Sequence, residues 1–358
     1  MTDVVEALSE NGQGRQVEDS RERECCRDRD HWISSYGKHP LSPLLYNRDI
    51  RLFFPEEPEQ GCLGYFVHQK IRFVIGGLLC APERKPALLD AWLTRVKRQG
   101  KITVFLHADP EDYRLLAERG YYINRIGSSY SIDLRKYSLA GKRFQQLRNK
   151  VNKSRKAGVT VRLIDNRDDF FAILPEMKRI NSEWLADKKT KLLKHLVTGF
   201  SGIRIPSSRY RLLVAEREGQ LLGYIVYSRV LSAQSGWFHD LSRKRTDTPN
   251  GVMQAINVEA MEIIRRSEEE NADWLHFGFT PLADIPDPDS VSKELQSPVF
   301  ASVVGILARH GGVVYPARTQ RQYKMGWRPQ QIEPEYFAFP KGKAMKSLWG
   351  LLRATNSL

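Results

Sequence analysis

Residues 236–259, GWFHDLSRKRTDTPNGVMQAINVE, decide how the chain is read. Trp237 and Phe238 end a strand, 240–248 form a polar loop, and Pro249-Asn250-Gly251 turn the chain into a helix beginning near Val252. The first turn of such a helix has free backbone N–H groups and partial positive charge, which together attract an anion. Arg243, Lys244 and Arg245 stand just upstream and reinforce that pull.

Upstream of this unit, residues 63–81 alternate as two strands joined at 68–70. Residues 84–99 place Leu88, Leu89, Trp92, Leu93 and Val96 at helical spacing. A strand at 102–108, a helix from an Asp109 cap to Gly120 and a strand at 130–134 complete a first half. The second half repeats the order: a helix at 170–185, a hairpin turning at Glu218-Gly219, the strand of 236–241, the helix from 252, a strand at 274–279, a helix at 299–310 and a last strand after 322–327. Strands interleaved with helices predict an α/β fold.

Between the halves, residues 141–158 put Phe144, Leu147 and Val151 on one helical stripe. Lys142, Arg143, Arg148, Lys150, Lys153, Arg155 and Lys156 share that segment with no acid. A run of cations is ordinarily a solvated face; with no counter-charge it predicts contact with a phosphate backbone. The chain as a whole carries +14 at a pI near 9.6, a field that favours nucleic acid, an anionic membrane or another polyanion.

The 358 residues, 41% hydrophobic, suffice for two ordinary cores. The four cysteines, Cys25-Cys26, Cys62 and Cys80, form no C-x-x-C pair and read as reduced thiols, so no metal site is expected. No run reaches the ~18 apolar residues of a membrane span and the start is polar, which predicts a cytoplasmic protein.

Five ordered stretches resemble the catalytic domain of MprF-type phosphatidylglycerol lysyltransferases. They are the Asp240-Leu241-Ser242-Arg243 and Pro249–Met253 pieces of the opening stretch, GKRFQQLRNKVNKSRKAGVTV (141–161), NSEWL (181–185), HFGFTPL (276–282) and YKMGWRPQQIEPEYFAF (323–339). The order of elements also resembles the GNAT acyltransferase fold. The expected architecture is therefore tandem GNAT-like: a disordered lead at 1–30, a first GNAT-like domain at 31–140, the basic linking helix at 141–158, a catalytic GNAT-like domain at 159–340 and a basic amphipathic tail at 341–358. In that tail Met345, Leu348, Trp349 and Leu352 share a face that either docks on its own domain or lies on an anionic membrane. The family usually carries a membrane-embedded region ahead of this domain, which the chain reads as lacking.

The resemblance implies an aminoacyltransferase that takes an amino acid from aminoacyl-tRNA and passes it to a hydroxyl or amine, on a small metabolite or a lipid head group such as phosphatidylglycerol. No cofactor beyond the tRNA co-substrate is implied, and peripheral contact with the inner membrane face is. Asp240 is then the partner of the substrate ammonium, Arg243 a fork for phosphate or oxyanion, His239 a candidate base, and Lys324 a substrate or tRNA contact. Asn250, Gly251, Trp184, Thr280 and Tyr323 fall on substrate-binding positions, and Lys244 and Arg245 join the basic helix in holding tRNA. The alternative for Asp240 and Arg243 is a pair closed on itself, and for His239 a packing role.

Two departures from the family stand out. Gly326-Trp327 replace its second lysine, and TKLLKHLVTGFSG (190–202) replaces the segment near its lipid-acceptor side. A coenzyme A-dependent N-acyltransferase is disfavoured by the single glycine, Gly251, where such enzymes carry R-x-x-G-x-G; a non-catalytic RNA-binding module is the other alternative. Ser228 and Ser242 lack a nucleophile elbow, and Asp284, Asp287 and Asp289 read as an exposed turn.

Overall fold

The structure, a computed structural model, describes residues 29–57, 60–187, 195–199, 202–231, 234–267, 272–285, 293–310 and 317–355. The lead at 1–28, with Cys25 and Cys26, lies outside the described residues, as do Asp287, Asp289 and most of 190–202. The first part of the chain supplies β1 (Arg51–Phe53), β2 (Cys62–His68), β3 (Ile71–Leu79), α1 (Lys85–Arg98), β4 (Ile102–Leu106), α2 (Pro110–Glu118) and β5 (Tyr121–Asp133). Helix α3 (Gln145–Lys156) leads to β6 (Thr160–Ile164), α4 (Arg167–Asp187), β7 (Tyr210–Arg217), β8 (Gln220–Val230), β9 (Gly236–Lys244) and α5 (Val252–Arg266). The chain closes with β10 (Trp274–Pro281), α6 (Pro298–His310), α7 (Ala317–Met325), β11 (Gln331–Pro340) and α8 (Ala344–Ala354).

All eleven strands form one sheet, in the order β1-β2-β3-β4-β11-β5-β10-β9-β8-β7-β6. The last strand of the chain therefore lies between β4 and β5, antiparallel to both, while β5 pairs β10 on its other edge. Residues 31–140 and 159–340 thus share one hydrogen-bonded sheet. Both faces are covered along its length: α1 and α2 pack Leu88, Leu89, Trp92 and Leu116 on one face of the first strands, and α6 and α8 pack Phe300 and Leu348 on the other. In the second part α5 and α3 cover one face and α4 the opposite one. Coverage on both sides explains why β3, IRFVIGGLL, is apolar almost throughout rather than alternating.

Several sequence expectations need correction. The reading of 240–248 as loop is too early an ending, because β9 stays paired to β8 as far as Lys244. The strand expected at 130–134 is the end of a thirteen-residue one, whose first part, YYINRIGSS, carries too many polar residues to read as buried. Asp109 makes no capping bond at α2 and lies 3.8 Å from the Lys85 ammonium instead. Asp284 does not stand out in solvent; it accepts hydrogen bonds from Ser128 (2.9 Å), Tyr130 (3.0 Å) and Arg321 (2.6 Å).

Each half contains a parallel pair beside a bulge. Strand β3 runs parallel to β4, and β9 parallel to β10, the latter pairing only from Gly236 to Phe238 before the two strands part. Just beyond, the β8–β9 register shifts so that Asp240 faces no partner residue; the β2–β3 register shifts likewise at Gly76 and Gly77. A bulge re-aims side chains, and here it sits where β9 leaves β10.

The turn into α5 is fixed by packing. Gly251 has φ 97°, and a Cβ placed there would stand 2.0 Å from the carbonyl oxygen of Lys150 in α3. Only glycine satisfies both the left-handed backbone and that approach. Gly251→Ala is expected to lower unfolding stability by roughly 2 kcal/mol or more, read as a drop in the urea midpoint. An unchanged midpoint would mean that α3 can draw back from the turn.

Candidate active site

Beyond Phe238 and His276 the sheet opens, because β9 keeps its bonds to β8 and β10 its bonds to β5 but neither bonds to the other. His239 and Asp240 sit at this opening and, as consecutive strand residues, serve different faces, while the bulge keeps Leu241 and Arg243 on the face of Asp240. His239 reaches Asn257 on α5, whereas Asp240 turns toward Ser228 and Thr198.

On the α5 face the protonation of His239 is set by its neighbours. The Asn257 amide nitrogen donates to the Met253 carbonyl (2.9 Å) and to the Tyr323 hydroxyl (2.9 Å), so its oxygen is the atom that meets His239 Nδ1 (3.0 Å) and the Tyr227 hydroxyl (3.0 Å). An amide oxygen only accepts, so Nδ1 carries the proton and Nε2 presents a lone pair. Burial, helped by the nearby Lys324 charge, holds the imidazole down to about 3, and the ring is neutral at physiological pH.

Lys324, on α7, is buried in the same region. Its ammonium donates to the carbonyls of Gly278 (2.8 Å) and Phe279 (3.0 Å). Those carbonyls are turned toward it by a register shift in β10 and by Gly278, whose φ is 68° and whose missing Cβ leaves room for the Phe238 ring. Burial brings the lysine down to about 7, against the opposing pull of the Glu335 carboxylate. It is poised to gain or lose a proton near neutrality.

On the α4 face Asp240 accepts from the Thr198 N–H (2.9 Å), the Thr198 hydroxyl and the Ser228 hydroxyl (2.7 Å), which leaves one lone pair of Oδ1 unused. Burial raises its pKa, with these three bonds working the other way. Arg243 donates to the Asn181 side chain (2.9 Å) and stacks 4.2 Å over the Trp184 ring. Its pKa is lowered by burial. Asp240 and Arg243 form no ion pair, so the alternative of a self-closed pair is not what the fold adopts.

The structure therefore divides the sequence-derived residues. Asp240, Arg243 and Trp184 meet on one face; His239, Lys324 and Tyr323 gather toward the other; Asn250 is exposed at the turn and Gly251 is pressed against α3. Thr280 is fully buried and its hydroxyl has no partner among the described residues. Lys142, Arg143, Lys150, Lys153, Arg155 and Lys156 are exposed along α3 and its lead-in, with no ion pair among the described residues. Arg148 differs, since it donates to the carbonyls of Leu139 and Gly141, and Arg245 is tied to Asp247 (3.0 Å). A cavity of about 310 Å³ lies where α5 meets residues 137–140, lined by Arg148, Met261 and Arg265.

Sequence reading missed Asn257, Tyr227 and Thr198, and weighed Ser228 only as a nucleophile. Asn257 left a signal, a polar residue among the buried positions Ile256, Ala260, Met261 and Ile264. It also missed a cluster built around Glu335, which meets His107 Nδ1 (2.9 Å), His39 Nε2 (3.2 Å) and the Ser129 hydroxyl. This is a donor set with metal-ligand chemistry, but His39 Nδ1 already accepts the Leu41 N–H (3.1 Å), which assigns its proton to Nε2 and directs it at the carboxylate. The cluster is closed as a hydrogen-bonded unit.

Residues 32–339 match the family described as phosphatidylglycerol lysyltransferase, C-terminal. The chain belongs to that family. Its similarity to the phosphatidylglycerol lysyltransferase of Bacillus subtilis is 26% identity over 88% of this chain but only 35% of that relative's length. The lysylphosphatidylglycerol biosynthesis bifunctional protein LysX of Rhodococcus opacus is 25% identical over 76% of this chain and 24% of its own length. Among solved structures, the fold matches the C-terminal domain of a putative lysylphosphatidylglycerol synthetase from Agrobacterium fabrum with a TM-score of 0.74, at 18% identity, over 94% of this chain and 98% of that one. It also matches L-PGS from Bacillus licheniformis at 0.68, with 18% identity over 92% and 96% of the two chains. Among the described residues no helix is long and apolar enough to cross a membrane.

Lys324 gives a pH test. Between about 7 and its ordinary 10.5 the unfolded chain binds a proton that the folded chain does not. Stability therefore gains from this lysine as pH rises through that window and loses nothing further below it. Lys324→Met is expected to flatten the rise, seen by comparing urea midpoints of the two proteins at several pH values. Parallel curves would show that the buried lysine stays charged.

Proposed function

We propose that this chain is an aminoacyltransferase that takes an amino acid, lysine first among the candidates, from aminoacyl-tRNA and passes it to a lipid head-group hydroxyl such as that of phosphatidylglycerol. What carries the reading is the meeting, where β9 and β10 part, of a neutral imidazole with an open Nε2 and a lysine poised near neutrality. Family membership supports the lysyl and lipid parts, because the relatives are named for lysyl transfer to phosphatidylglycerol. We also read the sheet as two GNAT-like halves that have exchanged their last strands, β5 and β11.

An aminoacyl ester is already activated, so the site has to hold it, orient the acceptor and move one proton. The remaining Oδ1 lone pair of Asp240 receives the substrate ammonium, and the Arg243 guanidinium faces phosphate or the developing oxyanion. His239 Nε2 accepts a hydrogen bond from the acceptor hydroxyl and aims its oxygen at the ester carbon. With a pKa near that of a carboxylate, held down in part by the Lys324 charge, the ring takes that proton only as the new C–O bond forms and gives it up readily. Collapse of the tetrahedral intermediate breaks the bond to the ribose oxygen of tRNA, which recovers that proton. Helix α3 packs its backbone at Lys150 against the turn at Gly251, and its unpaired cations supply the track for the tRNA backbone.

Two measurements test this. Binding of charged tRNA is expected to weaken on the order of a hundredfold between 50 and 200 mM salt, and a flat response would argue against tRNA. In a transfer assay, label from lysyl-tRNA should appear in phosphatidylglycerol, vanish after RNase treatment and fall roughly a hundredfold in Asp240→Asn. Transfer that survives RNase, or that runs on an acyl-coenzyme A, would overturn the reading.

A further inference from the structure

Helices α6 and α8 lie side by side on the face of the sheet opposite α1 and α2, held by Phe300, Val304 and Leu348. Their outer surfaces are apolar where a solvated helix would be polar. Val299 and Ile306, two turns apart on α6, are 59% and 53% exposed; Met345 and Trp349, one turn apart on α8, are 50% and 52% exposed. From Pro298 to Ala308 α6 has no charged residue at all.

The rim of this surface is cationic. Lys341, Lys343, Lys346 and Arg353 are exposed around α8, and no acidic residue follows Glu335 in the chain. Lys343, Lys346 and Arg353 have no ion pair among the described residues, and Arg353 lies 5.0 Å over the Trp349 ring. Large apolar side chains beside unpaired cations suit a phosphate-rich interface, where the rings and aliphatic groups enter the head-group layer and the cations meet lipid phosphates. A second copy docked through the same patch would set these cations against one another, so charge disfavours that occupant.

We infer that the α6–α8 surface docks on an anionic lipid bilayer, with Val299, Ile306, Met345 and Trp349 entering the interface and Lys343, Lys346 and Arg353 on its phosphates. Its purpose rests on the lipid-acceptor reading above, since it brings the chain to the layer that holds the acceptor. The contact itself does not depend on transfer chemistry.

The test is co-sedimentation of the full chain with phosphatidylcholine vesicles that contain or lack phosphatidylserine, an anionic lipid outside the proposed acceptor class. Binding is expected only to the anionic vesicles and should weaken with salt. Ile306→Asp combined with Trp349→Asp should reduce it by about tenfold or more, and Lys343→Gln combined with Lys346→Gln by a similar factor. Both variants should keep the wild-type melting temperature and the wild-type rate on detergent-dispersed phosphatidylglycerol. Wild-type binding to neutral and anionic vesicles alike, no binding to either, or full binding by folded variants would each overturn the inference. So would a wild-type dimer in sedimentation velocity that the apolar variant dissolves without any change in vesicle binding. Anionic vesicle binding without transfer from tRNA would uphold the docking surface and remove the proposed reaction.

Discussion

Strand β11 is hydrogen-bonded to β4 along one edge and to β5 along the other, and this ladder is the constraint on which the rest of the molecule depends. It joins the first and last parts of the chain in the middle of one sheet, and it leaves β5 to pair with β10. Side chains on these central strands have protein on every side, which is why Ser128, Ser129, Ser131 and Gly127 occupy positions that an exposed sheet would give to larger residues. At Gly127 a Cβ would stand 2.2 Å from the Thr280 carbonyl oxygen. The same crowding strips water from Lys324 and His239, so their proton affinities are set by burial first, whereas at Glu335 the neighbouring His39 and His107 outweigh burial and hold the carboxyl below its usual range.

The opening between β9 and β10 follows from that arrangement. Each of the two strands is committed to a different neighbour, β8 and β5, and they share only a short ladder. His239 and Asp240 alternate toward α5 and α4, and the bulge at Asp240 brings Arg243 onto the α4 face beside it. In the proposed reaction a substrate entering the opening is held by a carboxylate and a guanidinium from one side while an uncharged imidazole and a lysine address it from the other. The first half has an equivalent bulge occupied by Gly76 and Gly77. It carries no comparable polar pair, and Asp112 fills the space beside Gly77 by accepting the Leu78 N–H (3.0 Å).

Much of the fold was legible in the sequence because periodicity is local. The β2–β3 and β7–β8 hairpins, α1, α3 and the start of α5 at Val252 fall where spacing and turn residues place them. What periodicity could not reveal is pairing between distant strands. Nothing local in QIEPEYFAFP says that it lies between β4 and β5, so the Glu335 cluster with His39 and His107 stayed hidden until the topology assembled it. In the site, the residue types at 239, 240, 243 and 324 were found from the motifs, but their division between two faces depends on a one-residue register shift that the sequence does not mark. Thr198, which caps Asp240, comes from the segment that departs from the family pattern. That departure lies against the carboxylate proposed to hold the amino acid, and so bears on which substrate the site accepts.

The central physical claim is that the fold keeps His239 uncharged, with its proton on Nδ1 and Nε2 open to the acceptor. Nitrogen-15 NMR of histidine-labelled protein, with the His239 resonance assigned by its loss in His239→Gln, reads this directly. The account predicts the Nδ1–H tautomer with shifts that stay constant from about pH 5 to pH 8, because burial holds the ring near 3. A titration of that ring near its ordinary 6.5, or the Nε2–H tautomer at neutral pH, would contradict it.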